Sequence, residues 1–166
     1  MRYRSQKGLT LVELMITIML LAIVASAAIP AMQSLFGRKN VHAVGKIFEQ
    51  SIQLARAEAI QRSTTVRVLP AIDGDNWSEG WEIEYTDPVD GSIQTIRNFS
   101  AVSGNATFRS DDFTTDAPLT ILPNGQVTLL GTFELFYNDC ANSPDRLDYQ
   151  ILLSGLLKKT VNPCQP

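Results

Sequence analysis

Lys7-Gly8-Leu9-Thr10-Leu11-Val12-Glu13-Leu14 opens an apolar run with a glycine and places one acid just inside it. From Leu14 to Phe36 no residue is charged. Leu14, Met15, Ile16, Ile18, Met19, Leu20, Leu21, Ile23, Val24 and Ile29 make the stretch densely apolar. A bilayer span needs about 20 such residues at roughly 1.5 Å rise each, and this run supplies them. The leader Met1-Arg2-Tyr3-Arg4-Ser5-Gln6-Lys7-Gly8 carries three positive charges and no negative one, so this end is expected to stay cytoplasmic. A secretory signal would instead put a small-residue cleavage site after the run, and Ala25-Ser26-Ala27 fits that alternative.

The block from Lys7 to Pro30 resembles the class III signal of type IV pilins and type II secretion pseudopilins. That resemblance implies cleavage by a prepilin peptidase between Gly8 and Leu9 and N-methylation of Leu9. Glu13 then becomes the fifth residue of the mature chain, and Pro30 matches the proline that bends the family's helix. Leu9 stands where the family usually has phenylalanine. The chemistry of Glu13 is consistent with this on its own terms. A carboxylate in hydrocarbon is costly unless paired, and the amine freed at Leu9, still basic when methylated, is a partner whose attraction grows as the dielectric falls. The competing reading places Glu13 at the headgroup boundary near the helix end.

Beyond Pro30, Met32, Leu35, Val44, Ile47, Phe48, Ile52, Ala55 and Ala59 recur near helical spacing, with Gln33, Lys39, Lys46, Glu49, Gln53, Arg56 and Gln61 between them. One long helix to about Ser63 is expected, weakened slightly at Gly37 and Gly45. Strands are expected at Thr65–Leu69, Trp81–Thr86, Ile93–Phe99, Ala106–Arg109, Leu119–Leu122, Gln126–Leu130, Thr132–Tyr137 and Leu147–Leu153. Turns fall at Asp87-Pro88-Val89-Asp90-Gly91 and Pro123-Asn124-Gly125. A helix followed by many strands argues for an α+β domain with the helix packed on an antiparallel sheet, and the resemblance makes that fold type IV pilin-like. The expected organisation is a leader at 1–8, a transmembrane and filament-core helix at 9–30, its amphipathic continuation at 31–63 and a β-rich periplasmic domain at 64–166.

The second half narrows the resemblance. Leu54-Ala55-Arg56-Ala57-Glu58-Ala59-Ile60-Gln61-Arg62, Trp77, Gly80-Trp81 and Leu122-Pro123-Asn124-Gly125 are similar to the GspH/FimT group of minor pseudopilins and minor pilins. The resemblance implies a non-enzymatic, low-abundance subunit at or near the tip of a pilus, priming assembly. A type II secretion pseudopilin and a DNA-binding pilin for natural transformation are the alternatives. Implied partners are the prepilin peptidase, other minor and major pilins, the inner-membrane assembly platform, and membrane lipid before assembly. The implied location is the bacterial inner membrane, single-pass, and then the filament at the cell surface.

Cys140 and Cys164 are the only cysteines. In an oxidising compartment a disulfide between them is expected, worth roughly 2–4 kcal/mol; two free thiols are the other possibility. DNA binding in the group rests on a glycine–arginine–any–arginine motif, where this chain reads Gly155-Leu156-Leu157-Lys158-Lys159. Lys158 and Lys159 offer point charges without arginine's planar fork. The chain has 14 basic and 17 acidic residues, and loss of Arg2, Arg4 and Lys7 with the leader leaves 11 against 17, a balance that opposes nucleic acid. No cofactor, metal or catalytic residue is expected. His42 is the single histidine, and no nucleophile has an evident base. Asp73-Gly74-Asp75-Asn76 starts like a calcium loop but does not continue as one, and Asp111, Asp112 and Asp116 read as a solvated loop. Trp77 and Trp81 read as core.

Overall fold

Thr10, itself extended, caps a single helix, α1 (Leu11–Arg62), of 52 residues, about 78 Å long at 1.5 Å per residue. The computed structural model describes residues 10–72, 74–102, 106–138 and 145–164, and within α1 it leaves aside the side chains of 27–31 and 33–38. The helix continues through Pro30 and stops at Ser63, whose left-handed φ of 53° turns its N–H back onto the carbonyls of Ala59 and Ile60. Its two halves differ. Large apolar side chains from Leu11 to Val24 are all more than half exposed, whereas Val41, Val44, Phe48, Ile52, Ala55 and Ala59 are buried at alternating three- and four-residue steps. Of the expected apolar stripe, Met32 and Ile47 stay exposed, Ile47 to one side of the buried face, and the Leu35 side chain lies outside those described.

Eight strands follow: β1 (Val66–Pro70), β2 (Gly80–Thr86), β3 (Ile93–Ser100), β4 (Ala106–Arg109), β5 (Leu119–Ile121), β6 (Gly131–Tyr137), β7 (Asp145–Ile151) and β8 (Leu157–Pro163). They form two antiparallel sheets rather than one, in the orders β3-β2-β1-β5 and β4-β6-β7-β8. Two expectations need correcting. Gln126–Leu130 is not a strand. Val127 forms a lone bridge to Ile121 and donates to Leu153 O in the β7–β8 turn at 3.1 Å, and Thr128 donates to Thr120 O at 3.2 Å, so the segment makes isolated contacts and no ladder. The second correction is that the strands continue past Leu153: Lys158 and Lys159 lie on β8, an edge strand held by β7.

Phe48 sits at the seam of the two sheets. Its ring meets Trp81 of the first sheet at 5.7 Å, and Phe108, Phe133 and Tyr149 of the second at 4.8, 4.7 and 5.6 Å. Trp77, on a short 3-10 turn (Trp77–Glu79), closes this cluster at 6.2 Å. Both indoles bury their polar end with a partner: Trp77 donates to Phe113 O and Trp81 to Ser51 Oγ, each at 2.9 Å. They are core residues, as their sequence context suggests.

Gly80 at the head of β2 is required twice over. Its φ is 106°, and a Cβ there would lie 2.3 Å from the Phe99 carbonyl oxygen of the neighbouring strand. Gly80→Ala is expected to cost about 2–4 kcal/mol, because neither strained backbone nor a paired strand can yield cheaply. A thermal melt showing no loss would refute this.

Candidate assembly interface

The first turn of α1 presents Glu13. Thr10 Oγ1 accepts a hydrogen bond from the Glu13 backbone N–H at 3.2 Å, so the threonine caps the helix three residues ahead of an acid. Glu13 therefore has a local effect besides any pairing, since its charge complements the positive end of the helix dipole. The Thr-x-x-Glu signal is plain at Thr10–Glu13, beside the expected peptidase site, and sequence reasoning that looks only at the glycine passes over it. Gly8 and Leu9 lie outside the described residues.

Along the exposed apolar half, hydroxyls are turned inward. Thr17 Oγ1 donates to Leu14 O and Ser26 Oγ to Ile23 O, both at 2.8 Å. The surface from Leu11 to Ser26 thus offers apolar atoms with its hydroxyls already satisfied, which suits an environment poor in water. Among the described residues no helical stretch is long and apolar enough to cross a membrane.

Higher on α1, a series of polar contacts fixes the helix to the second sheet. His42 Nε2 lies 3.0 Å from Asp145 Oδ2 at the start of β7. Glu49 Oε1 accepts from Tyr149 Oη and from Lys159 Nζ, both at 3.1 Å, and Arg56 Nε donates to Gly125 O at 3.2 Å. His42, the single histidine, is one rung of this ladder. Lys159 is held by Glu49 and lies 5.7 Å above the Tyr149 ring, while its neighbour Lys158 is exposed on β8. A groove of about 520 Å³ runs between α1 and the β7–β8 turn past Arg56, Ile60 and Leu156. Another of about 760 Å³ runs between α1 and the edge strand β3, past Ile47, Trp81 and Phe99.

Burial, and then the nearby Glu49 carboxylate, push the Tyr149 phenol well above its ordinary range. The folded state therefore favours the neutral phenol. Its contribution is complete below the unfolded value near 10 and is lost as pH rises beyond it. In a difference absorbance titration of the folded chain against its Tyr149→Phe variant, residue 149 is expected to contribute no phenolate near pH 10. In denaturant the same change should remove one of four tyrosines from the phenolate transition.

Of the acids singled out in sequence, Asp112 serves the fold. Asp112 Oδ2 accepts from the N–H and the hydroxyl of Thr132 at 2.7 and 3.0 Å, and Asn76 caps the 3-10 turn at Ser78 N. Among the described residues no three histidine, cysteine or acidic side chains gather to hold a metal. Asp73 lies outside the described residues. So does Cys140, whereas Cys164 is not a free thiol and lies 3.7 Å from Tyr137 O.

A family model described as type II transport protein GspH matches residues 47–156, from the buried face of α1 to the β7–β8 turn. The chain belongs to the GspH family. A second model, the prokaryotic N-terminal methylation motif, matches residues 3–29 of this GspH-family chain, including Glu13 and the apolar run. No curated protein matches the chain as a relative. Solved structures share its fold. The type IV minor pilin FimU of Pseudomonas aeruginosa is 20% identical with a TM-score of 0.56, over 75% of this chain and 90% of that one. The minor pseudopilin EpsH of the Vibrio cholerae type 2 secretion system is 16% identical with a TM-score of 0.57, over 73% and 96%. The GspH domain behind a methylation motif makes this chain a pilin-like protein of the GspH/FimT group, a minor pilin or pseudopilin with an α+β fold.

Proposed function

We propose that this chain is a minor subunit of a type IV pilus, placed at or near the tip, where it primes assembly. The observation that carries the reading is the continuity of α1. One helix bears the methylation-motif segment on its exposed apolar half and the first buried face of the GspH domain on its other half. An exposed apolar helix joined rigidly to a folded domain suits both storage in a bilayer and packing among like helices. In this reading the prepilin peptidase cuts between Gly8 and Leu9, and the 9–30 segment anchors the domain in the inner membrane. Major and other minor pilins then take it from the membrane through the assembly platform. Cys140 and Cys164 form a bridge that closes the C-terminal segment.

A type II secretion pseudopilus is the second reading. It is favoured by the family model's description and by a likeness to EpsH as good as that to FimU.

Mass spectrometry of the N-terminus, from membranes that contain a prepilin peptidase, tests the shared core of both. A chain beginning at N-methylated Leu9 is expected. An intact leader, or an N-terminus near Ala27, would remove both readings. Recovery in sheared surface pili, against recovery only with the secretion machinery, then separates the two.

A further inference from the structure

Two loops bring five leucines together at one end of the domain. Gly131 pairs with Ile151 at the end of the β6–β7 ladder, so the chain just before β6, with Leu129 and Leu130, and the chain just after β7, with Leu152 and Leu153, leave the sheet side by side. Val127 N bonds Leu153 O at 3.1 Å, and Leu156 completes the β7–β8 turn, accepting from Leu152 N at 2.9 Å. These five side chains are 50%, 49%, 38%, 58% and 51% exposed in chain order, and Ile60 of α1, 49% exposed, lies on the groove that Leu156 lines. Large apolar side chains exposed together, rather than singly, are what mark an interaction site. The patch is also rigid. Gly155, at φ 75°, packs so closely that a Cβ would lie 2.3 Å from Gly125 O, and Arg56 bonds that same carbonyl. Little ordering would be needed on binding.

Position and charge say what covers it. The contacts of α1 with the second sheet climb in step, His42 with Asp145, Glu49 with Tyr149, Arg56 with the Gly125–Gly155 contact. The leucine pole therefore stands level with the C-terminal end of α1, remote from the apolar half that begins at Leu11. The chain as a whole is acidic, yet residues 119–131 carry no charge and residues 151–161 carry only Lys158 and Lys159.

We propose that this pole docks a neighbouring pilin-like subunit of a different kind, seated beyond the C-terminal end of α1, through an apolar surface with an acidic rim. The inference rests on the filament-subunit reading above. A lipid surface would meet the opposite end of the molecule. Nucleic acid would need stacking aromatics or a free arginine fork, and the pole offers leucines, with Arg56 already bonded to Gly125 O. Two copies facing each other through this pole would set lysine against lysine.

The test uses the full chain in cells that hold its filament system, with a photo-crosslinking amino acid at Leu129. The expected product joins it to another chain whose own N-terminus is a methylated pilin end. The pair Leu153→Asp and Leu156→Asp should lower that product about tenfold or more, and Leu153→Ala with Leu156→Ala should lower it less. Both pairs should keep the methylated Leu9 end and the thermal midpoint, since these side chains are exposed. Products only with DNA, phospholipid or a second copy would overturn the proposal, as would an undiminished product from the aspartate pair. If the unsubstituted chain keeps its leader, the filament reading falls with it. If the chain is cut and methylated, and the aspartate pair still joins the filament at full level, only the docking surface falls.

Discussion

Glu13→Ala should be cut and methylated normally yet fail to enter the filament, with incorporation lower by roughly 10²–10³-fold. The magnitude follows from the proposed pairing of Glu13 with the amine of Leu9 among packed apolar helices. Removing one partner of a buried ion pair strands the other, at about 3–5 kcal/mol. The structure adds a complication, because the Thr10 cap at Glu13 N makes the residue part of the helix start as well. Alanine keeps that backbone bond but removes from the first turn both the charge and the polar side chain. Glu13→Gln keeps a polar group suited to that position and removes only the charge. If pairing governs assembly, glutamine should be nearly as defective as alanine. If the helix start governs it, glutamine should restore incorporation. Thr10→Ala supplies the converse: it removes the cap, worth about 1 kcal/mol, and leaves the charge. Filaments sheared from cells and probed for this subunit, with N-terminal mass as the control for processing, give the readout. Full incorporation of both Glu13 variants would end the pairing model.

The long helix was legible from its sequence because two signals agreed. The apolar spacing from Val44 to Ala59 has the helical period, and the pattern breaks at Ser63, where the chain takes a left-handed turn. The strand faces were legible only in part: Trp81 and Ile83 are buried and Glu82 less so, but Glu84 is buried too, paired with Arg67 where the register against β3 shifts. The assignment of strands to sheets was not legible, since period-two alternation says which way a side chain points and nothing about which strand lies alongside. Gln126–Leu130 shows the limit most clearly. Its composition suits a strand, but its hydrogen bonds divide between β5 and the β7–β8 turn. The candidate site divides in the same way. Glu13 stands out as one acid in an apolar run. The His42–Asp145 contact and the leucine pole join residues far apart in sequence, and only the folded register of β6, β7 and the turns brings them together.

Phe48→Ala should be the most damaging single change within the domain, at about 3–5 kcal/mol of stability and a fall in melting temperature of roughly 10–20 °C. Phe48 is fully buried, and its ring meets five others contributed by both sheets and the 3-10 turn. Edge-on aromatic pairs add to the area term, and a cavity walled by paired strands cannot collapse to fill itself. A domain stable by only about 5–15 kcal/mol has little to spare against such a loss. Phe48→Leu fills part of the space and should cost about half as much. Ile47→Ala, one position along the same helix but 45% exposed, should cost well under 1 kcal/mol. The contrast between neighbours tests the helix register itself. If Ile47→Ala proved as harmful as Phe48→Ala, the face of α1 assigned to the seam would be wrong. The expected order also bears on assembly, because Phe48 is where the helix holds both sheets. Its loss should let the domain unfold around an intact α1, giving a chain still cut at Gly8 but degraded before it reaches the filament.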